Sequence, residues 1–553
     1  MSSSHSVSRR AFVGRSALGV VGLSTLGERL SHWRSEDHER VGEAAARVAA
    51  FELEEATIAD LQSAMSSGKY TARAIVEQYL ARIDSLDQKG PSLNHIVELN
   101  PDALALADQL DTERRSGKTR GPLHGIPILI KDNIDTADRM HTSAGSLALA
   151  NHVASQDSFV AVRLRAAGAI ILGKTSLSEW ANFRSTHSTS GWCGRVGQGK
   201  NPYALDRNTS GSSSGSGGAC AASYCAIAIG TETDGSVTSP SAAQSLVGIK
   251  PTVGLIGRSG IVPIAHSQDT AGPMTRTVRD AAILLGALTG IDARDVATST
   301  SRGRAHSDYT SFLDENGLRG ARIGVIRERY MGYSAKTDAL VASALDVMKQ
   351  HGATIVDPAN IATAGKYEDA EFEVLLYEFK ADLNAYLQGV APNVPVHSLA
   401  DVIAFDARNA SAEMPYFAQE IMEQAQKKGP LTDPKYKAAL AKAKRMSGPE
   451  GIDAVMAKHK LDALIAPTQG PVWLTDLVNG DPGGFTVFSG PAAVAGYPHI
   501  TVPMGFVQGL PVGLSFVGGA WSEPTLLKLA YAFEQATKAR RKPEFRSTAE
   551  LKA

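Results

Sequence analysis

The stretch from Ser210 to Ser241 constrains this chain more than any other. It opens Ser210-Gly-Ser-Ser-Ser-Gly-Ser-Gly-Gly218, runs through Ala219-Cys-Ala-Ala-Ser-Tyr-Cys-Ala-Ile-Ala-Ile229, and continues as Gly230-Thr-Glu-Thr-Asp-Gly-Ser236. Two Gly/Ser loops are thereby tied to the ends of one small-residue element, expected as a helix over Ala219–Ile229 and stopped by Pro240. Glycine lets backbone N–H groups come close to a ligand and face it. A flexible linker would have no use for the alanine-rich run, and core-like residues resume at Leu246-Val-Gly-Ile-Lys-Pro251. Glycine is enriched in the chain, 52 of 553 residues, and these loops are where the excess becomes informative.

Around this segment the pattern alternates helices and short apolar strands. Ile75, Val76, Tyr79, Leu80 and Ile83 mark an amphipathic helix over Thr71–Leu86. A helix over Phe159–Ala167 ends at Gly168. Strands are expected at Gly125–Ile130, Ala169–Leu172, Ile323–Ile326, Thr354–Val356, Ala463–Ile465 and Ile500–Val502, with helices at Thr337–His351 and Pro524–Gln535. That mixture predicts an α/β fold, a mixed sheet covered by helices on both faces. Residues 362–449 read as a helical cap inserted into a body spanning 51–545.

The N-terminus reads as an address. Ser8-Arg9-Arg10-Ala11-Phe12-Val13 precedes a weakly apolar run, Ala17 to Leu26, the layout of a twin-arginine export signal. Residues 1–50 are therefore set aside as signal and disordered leader, with a periplasmic or extracellular destination expected. The apolar run is too short to span a bilayer, which needs about 20 apolar residues. Composition excludes further classes. Lys+Arg number 56 against Asp+Glu 57, so no nucleic-acid footprint is present. Three cysteines cannot build a disulfide scaffold or a four-cysteine zinc site, and are expected as core residues, Cys220 and Cys225 on the short helix.

Two pattern matches fail on mechanics. Gly168-Ala-Ile-Ile-Leu-Gly173-Lys174-Thr175 fits a phosphate-loop expression, yet its variable residues look like the strand itself. Gly211-Ser-Ser213-Ser-Gly215 fits a nucleophile elbow, yet the residues before it are polar and turn-like. A serine nucleophile needs a base and an oxyanion site. No histidine occurs in residues 188–265, so the base must come from elsewhere. Lys131, leaving the apolar run at Ile130, is the best candidate, because desolvation lowers an amine's pKa. An exposed turn lysine is the competing reading, and the local pattern leaves the two even.

Gly125-Ile-Pro-Ile-Leu-Ile-Lys131-Asp-Asn-Ile, Gly211-Ser-Ser-Ser-Gly-Ser216, Gly230-Thr-Glu-Thr-Asp-Gly-Ser236, Gly248-Ile-Lys-Pro-Thr252, Ser267–Met274 and Ala495–Pro503 together resemble the amidase signature family. The resemblance runs from about residue 52 to 538. It implies a Ser–Ser–Lys triad: Ser236 as nucleophile, Ser212 as bridging serine after a cis Gly211–Ser212 bond, Lys131 as base. It also implies an oxyanion site from backbone N–H groups of Thr233, Asp234, Gly235 and Ser236, with no cofactor or metal. Asp234 stands where the common family form has a glycine, and Thr238 where it has an arginine. These departures resemble the bacterial peptide amidase branch, whose members remove C-terminal amides from peptides. Expected partners are a small-molecule or peptide amide, not nucleic acid or a membrane. Fatty-amide or aryl-amide hydrolysis is the alternative, the glutaminase subunit of a tRNA-dependent amidotransferase a further one, and a non-catalytic scaffold the last. His124 and Asp269 are expected to be structural. Trp180, Trp192, Trp473 and Phe485 are candidates for a pocket wall, with a core role the weightier expectation.

Overall fold

The apolar runs bounded by turn residues form strands. The computed structural model describes residues 50–482 and 486–550. Its strands are β1 (Ile96–Leu99), β2 (Pro127–Lys131), β3 (Ile170–Thr175), β4 (Trp192–Cys193), β5 (Gly197–Gln198), β6 (Ile227–Glu232), β7 (Val247–Lys250), β8 (Thr270–Thr275), β9 (Arg322–Val325), β10 (Thr354–Val356), β11 (Ala463–Pro467), β12 (His499–Val507) and β13 (Leu510–Val517). Eleven of them form one sheet in the order β1-β3-β2-β6-β8-β7-β12-β13-β11-β9-β10. β2 runs parallel to β3 and β6, and β9 runs parallel to β10 and β11. The remaining pairs are antiparallel, so two parallel blocks are joined through an antiparallel centre. β2, β3, β6, β8, β11 and β13 are buried at every position. Burial on both faces explains why β2, β3 and β11 read as continuous apolar runs rather than alternating ones.

Helices flank this sheet. Ala72–Leu86 starts behind Thr71, whose hydroxyl caps the Ala74 N–H. Phe159–Ala166 is capped by Ser158 in the same way. Ala335–Gln350 and Glu523–Thr537 match the expected helices to within two residues at each end. Between β10 and β11 the chain is helical, including Glu368–Leu387, Leu399–Arg408, Glu420–Gln426 and Pro434–Ser447. Leu376, Phe379, Leu383 and Met422 of this segment share an apolar cluster with Trp180, Phe183 and Val262 of the sheet-bearing body. No helix of the described residues is long and apolar enough to cross a membrane. The expected export segment and leader lie outside the described residues, apart from residue 50.

Two local expectations are corrected. The helix expected over Ala219–Ile229 is instead Ser214–Ala221, and Ile227–Glu232 is β6. β-Branched Ile227 and Ile229 favour the pleated sheet centre, where they pair with β2 and β8. Cys220 is therefore helical and Cys225 lies beyond the helix; both are buried, as is Cys193. Pro240 does not stop a helix. It sits in the first turn of Thr238–Ala243, where its missing N–H costs nothing.

Candidate active site

Two strand ends and the loop before the helix Ser214–Ala221 build the site. β2 buries Ile128, Leu129 and Ile130 completely and delivers Lys131 at its last position. Lys131 is itself 0% exposed. Its Nζ lies 2.8 Å from Ser212 Oγ, 2.9 Å from Thr231 Oγ1 and 3.3 Å from the Thr231 carbonyl. Burial lowers the amine to about 7, opposed by the negative charges of Asp269 and Glu232. The even choice left open by the local pattern thus resolves to a buried amine.

Ser212 is buried and follows a cis Gly211–Ser212 peptide bond. The helix Ser214–Ala221 begins immediately after it and can lie on the sheet only because its residues are small. A Cβ on Gly215 would stand 2.5 Å from the Ser176 carbonyl oxygen. This packing brings the two Gly/Ser loops together: the Ser213 N–H donates to the Ser236 carbonyl at 3.1 Å.

The Ser236 loop leaves β6 and enters the helix Thr238–Ala243. Gly235 turns it with φ +79°, in the left-handed region. Glu232 clamps it from below, accepting from the N–H groups of Val237 and Thr238 at 2.8 and 2.9 Å. Asp269 accepts from Thr233 Oγ1 at 2.5 Å and from the N–H groups of Ile264 and Ala265, each at 2.9 Å. It is the loop-fixing carboxylate expected, and burial pushes it up to about 6. Among the described residues the backbone N–H groups of Thr233, Asp234, Gly235 and Ser236 have no hydrogen-bond partner. Thr238, at the family's arginine position, gives its N–H and hydroxyl to Glu232.

A cleft of about 600 Å³ opens over this loop, walled by Gly211, Asp234, Gly235, Ser239 and Trp473 among others. Trp473 is thus a wall residue. Trp180 is buried in the apolar cluster beneath the helical segment. Trp192 packs edge-on to Phe417 and beside the Arg184 guanidinium. Phe485 lies outside the described residues. His124 sits before β2, at the end away from Lys131, with Nε2 3.0 Å from the Leu110 carbonyl, a structural placement. His266, Glu378 and Asp382 come within 4.8 Å of one another. His266 presents opposite ring nitrogens to the two carboxylates, Nδ1 at 2.8 Å from Asp382 and Nε2 at 3.5 Å from Glu378. That is a bridging ion pair rather than a convergent ligand set.

Thr231, Glu232, Gln268 and Glu371 are site residues that sequence reasoning missed. Thr231 and Glu232 were inside the quoted motif, and strand alternation placed them on opposite faces. Gln268 donates to the Thr233 carbonyl at 3.3 Å and to Glu371 at 3.0 Å. Glu371 comes from the helical segment and carried no signal.

A sheet of this order, with a buried amine against a serine beside a Gly/Ser loop, defines a class of amide hydrolases. A family model described as Amidase matches residues 74–527, and the chain belongs to this family. It is an enzyme acting on linear amide C–N bonds. A native peptide amidase from Stenotrophomonas maltophilia is similar at 50% identity and TM-score 0.86, covering 90% of this chain and all of that one. A probable amidase of Arabidopsis thaliana is 42% identical over 90% of this chain and 92% of its own length. A component of the glutamyl-tRNA(Gln) amidotransferase of Halorhodospira halophila is 33% identical over 88% of this chain and 98% of its own length.

Proposed function

We propose that this amidase removes the C-terminal amide of peptides through Ser236, Ser212 and Lys131. The observation that carries the reading is the 2.8 Å contact between Lys131 Nζ and Ser212 Oγ. A neutral amine has two N–H groups and one lone pair. Thr231 Oγ1 and the Thr231 carbonyl accept the two N–H groups, so the lone pair is left for the Ser212 hydroxyl proton.

The step then balances. Ser236 Oγ attacks the amide carbon, its proton passes to Ser212 Oγ, and the Ser212 proton passes to Lys131. The developing oxyanion takes hydrogen bonds from the unpaired N–H groups between Thr233 and Ser236, each contributing roughly 3 kcal/mol in the transition state. Lys131, now ammonium, returns its proton through Ser212 to the leaving nitrogen. Ammonia departs, and water cleaves the Ser236 ester by the same relay.

The peptide substrate is supported by the 50% identity with the Stenotrophomonas peptide amidase and by the cleft's polar walls, which include Asp234, Glu371 and Arg329. Such walls suit a peptide backbone better than an alkyl chain. The test is ammonia release from an N-acetylated dipeptide amide, compared with oleamide and an anilide, with Ser236→Ala beside the unsubstituted protein. Release from the peptide by the unsubstituted protein alone is the expected result; turnover of oleamide or the anilide but not the peptide overturns the substrate. Export by Arg9-Arg10 belongs to the same proposal. Its test is fractionation of a bacterium with a twin-arginine translocase, where Arg9→Lys/Arg10→Lys should hold the protein in the cytoplasm.

A further inference from the structure

The cleft carries two acidic groups that the mechanism does not use. Asp234 projects from the Ser236 loop, two residues before the nucleophile, and is exposed to the cleft. Glu371 reaches it from the helix Glu368–Leu387 and is 8% exposed. Both carboxyl groups line the same cleft, and Gln268 Nε2 donates to Glu371 Oε1 at 3.0 Å. Among the described residues neither forms an ion pair, whereas neighbouring Glu368 is paired with Arg329. Lys250 acts electrostatically on Asp234 and Lys444 on Glu371, yet Lys250 Nζ is committed to the Pro251 and Tyr497 carbonyls at 3.2 and 2.7 Å and Lys444 Nζ to the Ser267 carbonyl at 2.8 Å.

A second observation at the same place is independent of the acids. Tyr330 and Tyr367 line the cleft beside them and are 6% and 2% exposed. Among the described residues neither hydroxyl has a hydrogen-bond partner. Two carboxyl groups and two phenol oxygens without partners make a composition that receives a desolvated cation.

We propose that Asp234, Glu371, Tyr330 and Tyr367 form a subsite for an ammonium group on the amide substrate. The inference rests on the peptide-amide reading above and names the substrate class further. Consecutive Cα atoms lie about 3.8 Å apart, so Asp234 Cα is within about 8 Å of Ser236 Cα. The ammonium therefore sits one or two residues from the scissile amide: the free α-amino group of a short peptide, or a lysine side chain beside it. Its arrival favours the ionised form of both acids, with the proton of Glu371 passing to solvent. Solvent reaches Asp234 through the cleft, while the packed loop still takes away enough water to push it up to about 6. Glu371 is pushed well above the usual carboxylate range by burial and by Asp234.

The experiment is calorimetric binding to the full-length Ser236→Ala protein at pH 7.5. The ligands are Ala-Ala-NH2, acetyl-Ala-Ala-NH2 and acetyl-Lys-Ala-NH2. The expected result is at least tenfold tighter binding of one cationic peptide than of acetyl-Ala-Ala-NH2; which one identifies the source of the ammonium. Adding Asp234→Asn, or separately Glu371→Gln, should bring that ratio towards one, as should lowering the pH to 5. A ratio near one in Ser236→Ala, or a ratio that survives both substitutions, overturns the subsite. Ammonia release from acetyl-Ala-Ala-NH2 by the unsubstituted protein then keeps the peptide-amide reading standing without it. Failure of all three ligands to bind, with no release from any, overturns both.

Discussion

Lys131 and Lys174 leave neighbouring parallel strands, and both are 0% exposed. Lys131 pairs in register with Thr175, and Lys174 with Ile130, so the two side chains point to opposite faces. Lys174 donates to the Ile134 and His141 carbonyls at 2.8 and 3.0 Å and to Thr142 Oγ1 at 2.9 Å. Thr142 directs its own proton to the Ile134 carbonyl. Three acceptors thus surround one amine, and Asp132 and Asp135 lend negative charge against the lowering effect of burial. Those acceptors and charges favour the ammonium form, against burial, which lowers the amine. Lys131 instead meets one carbonyl and two hydroxyls, one of them Ser212 on a loop that touches the Ser236 loop. Burial alone therefore does not make a base; a partner able to give up a proton does. The same comparison explains the failed phosphate-loop match, because its lysine is Lys174, spent on the protein's own carbonyls.

Removing each group of the proposed relay should give the largest effects. Ser236→Ala should lower kcat by at least about 10⁴, and Lys131→Met by about 10³ or more, measured as ammonia release. Lys174→Met should leave kcat of the folded protein within about threefold. Stability should separate the two lysines with opposite signs. Lys174→Met strands Asp132 and Asp135 in the interior and should cost about 3 kcal/mol, read as a lower urea midpoint at unchanged m. Lys131→Met removes an amine whose neutral form the fold enforces, and should gain about 1 kcal/mol at pH 7. Equal destabilisation by both substitutions breaks the comparison.

Ser212→Ala should follow, with a loss of about 10²–10³ in kcat and little change in KM. Near-normal turnover would remove Ser212 from the relay.

The pH dependence is next in size. Native Lys131 titrates at about 7, and the unfolded chain's lysine at about 10.4. Activity needs the neutral amine, so kcat/KM should rise about tenfold per unit below pH 7 and level off above it. Between those two pKa values the unfolded chain binds more protons, so this group makes stability rise with pH across that window. Lys131→Met should lose that rise, while Lys174→Arg should keep it.

Much of the sheet was legible, because buried strands announce themselves as short apolar runs. β2, β3, β9, β10, β11 and β12 fell where such runs stood. Lys131 was an even choice on its own pattern, and Ser212 and Ser236 were singled out by the resemblance to the amidase signature family, because glycine- and serine-rich loops alone do not say which hydroxyl does chemistry. The Ala219–Ile229 error came from reading alanine content over β-branching in a segment where a turn hides between small residues. Glu371, Tyr330 and Tyr367 were not legible. They lie 94 to 135 positions after Ser236, Tyr330 just beyond β9 and the other two at the start of the helical segment, and only the tertiary fold brings these ordinary-looking segments to the cleft. The leader remained a matter of sequence alone.

The smallest effect sharpens the contrast between the lysines most. Thr231 Oγ1 accepts from Lys131 at 2.9 Å and from Asn133 Nδ2 at 3.0 Å. An acceptor beside an amine favours its charged form, so removing the hydroxyl should lower the Lys131 pKa further. In Thr231→Val the acidic limb of the kcat/KM profile should therefore move to lower pH. The plateau should fall by about tenfold, because a less basic amine is a weaker proton acceptor. Asn133 loses its partner in the same variant, which should cost about 1 kcal/mol of stability. Thr231→Ser keeps the hydroxyl and should restore both the limb and the plateau. A plateau loss in Thr231→Val without movement of the limb would mean that Thr231 only fills space. The amine would then owe its state to burial alone, which is what Lys174 argues against.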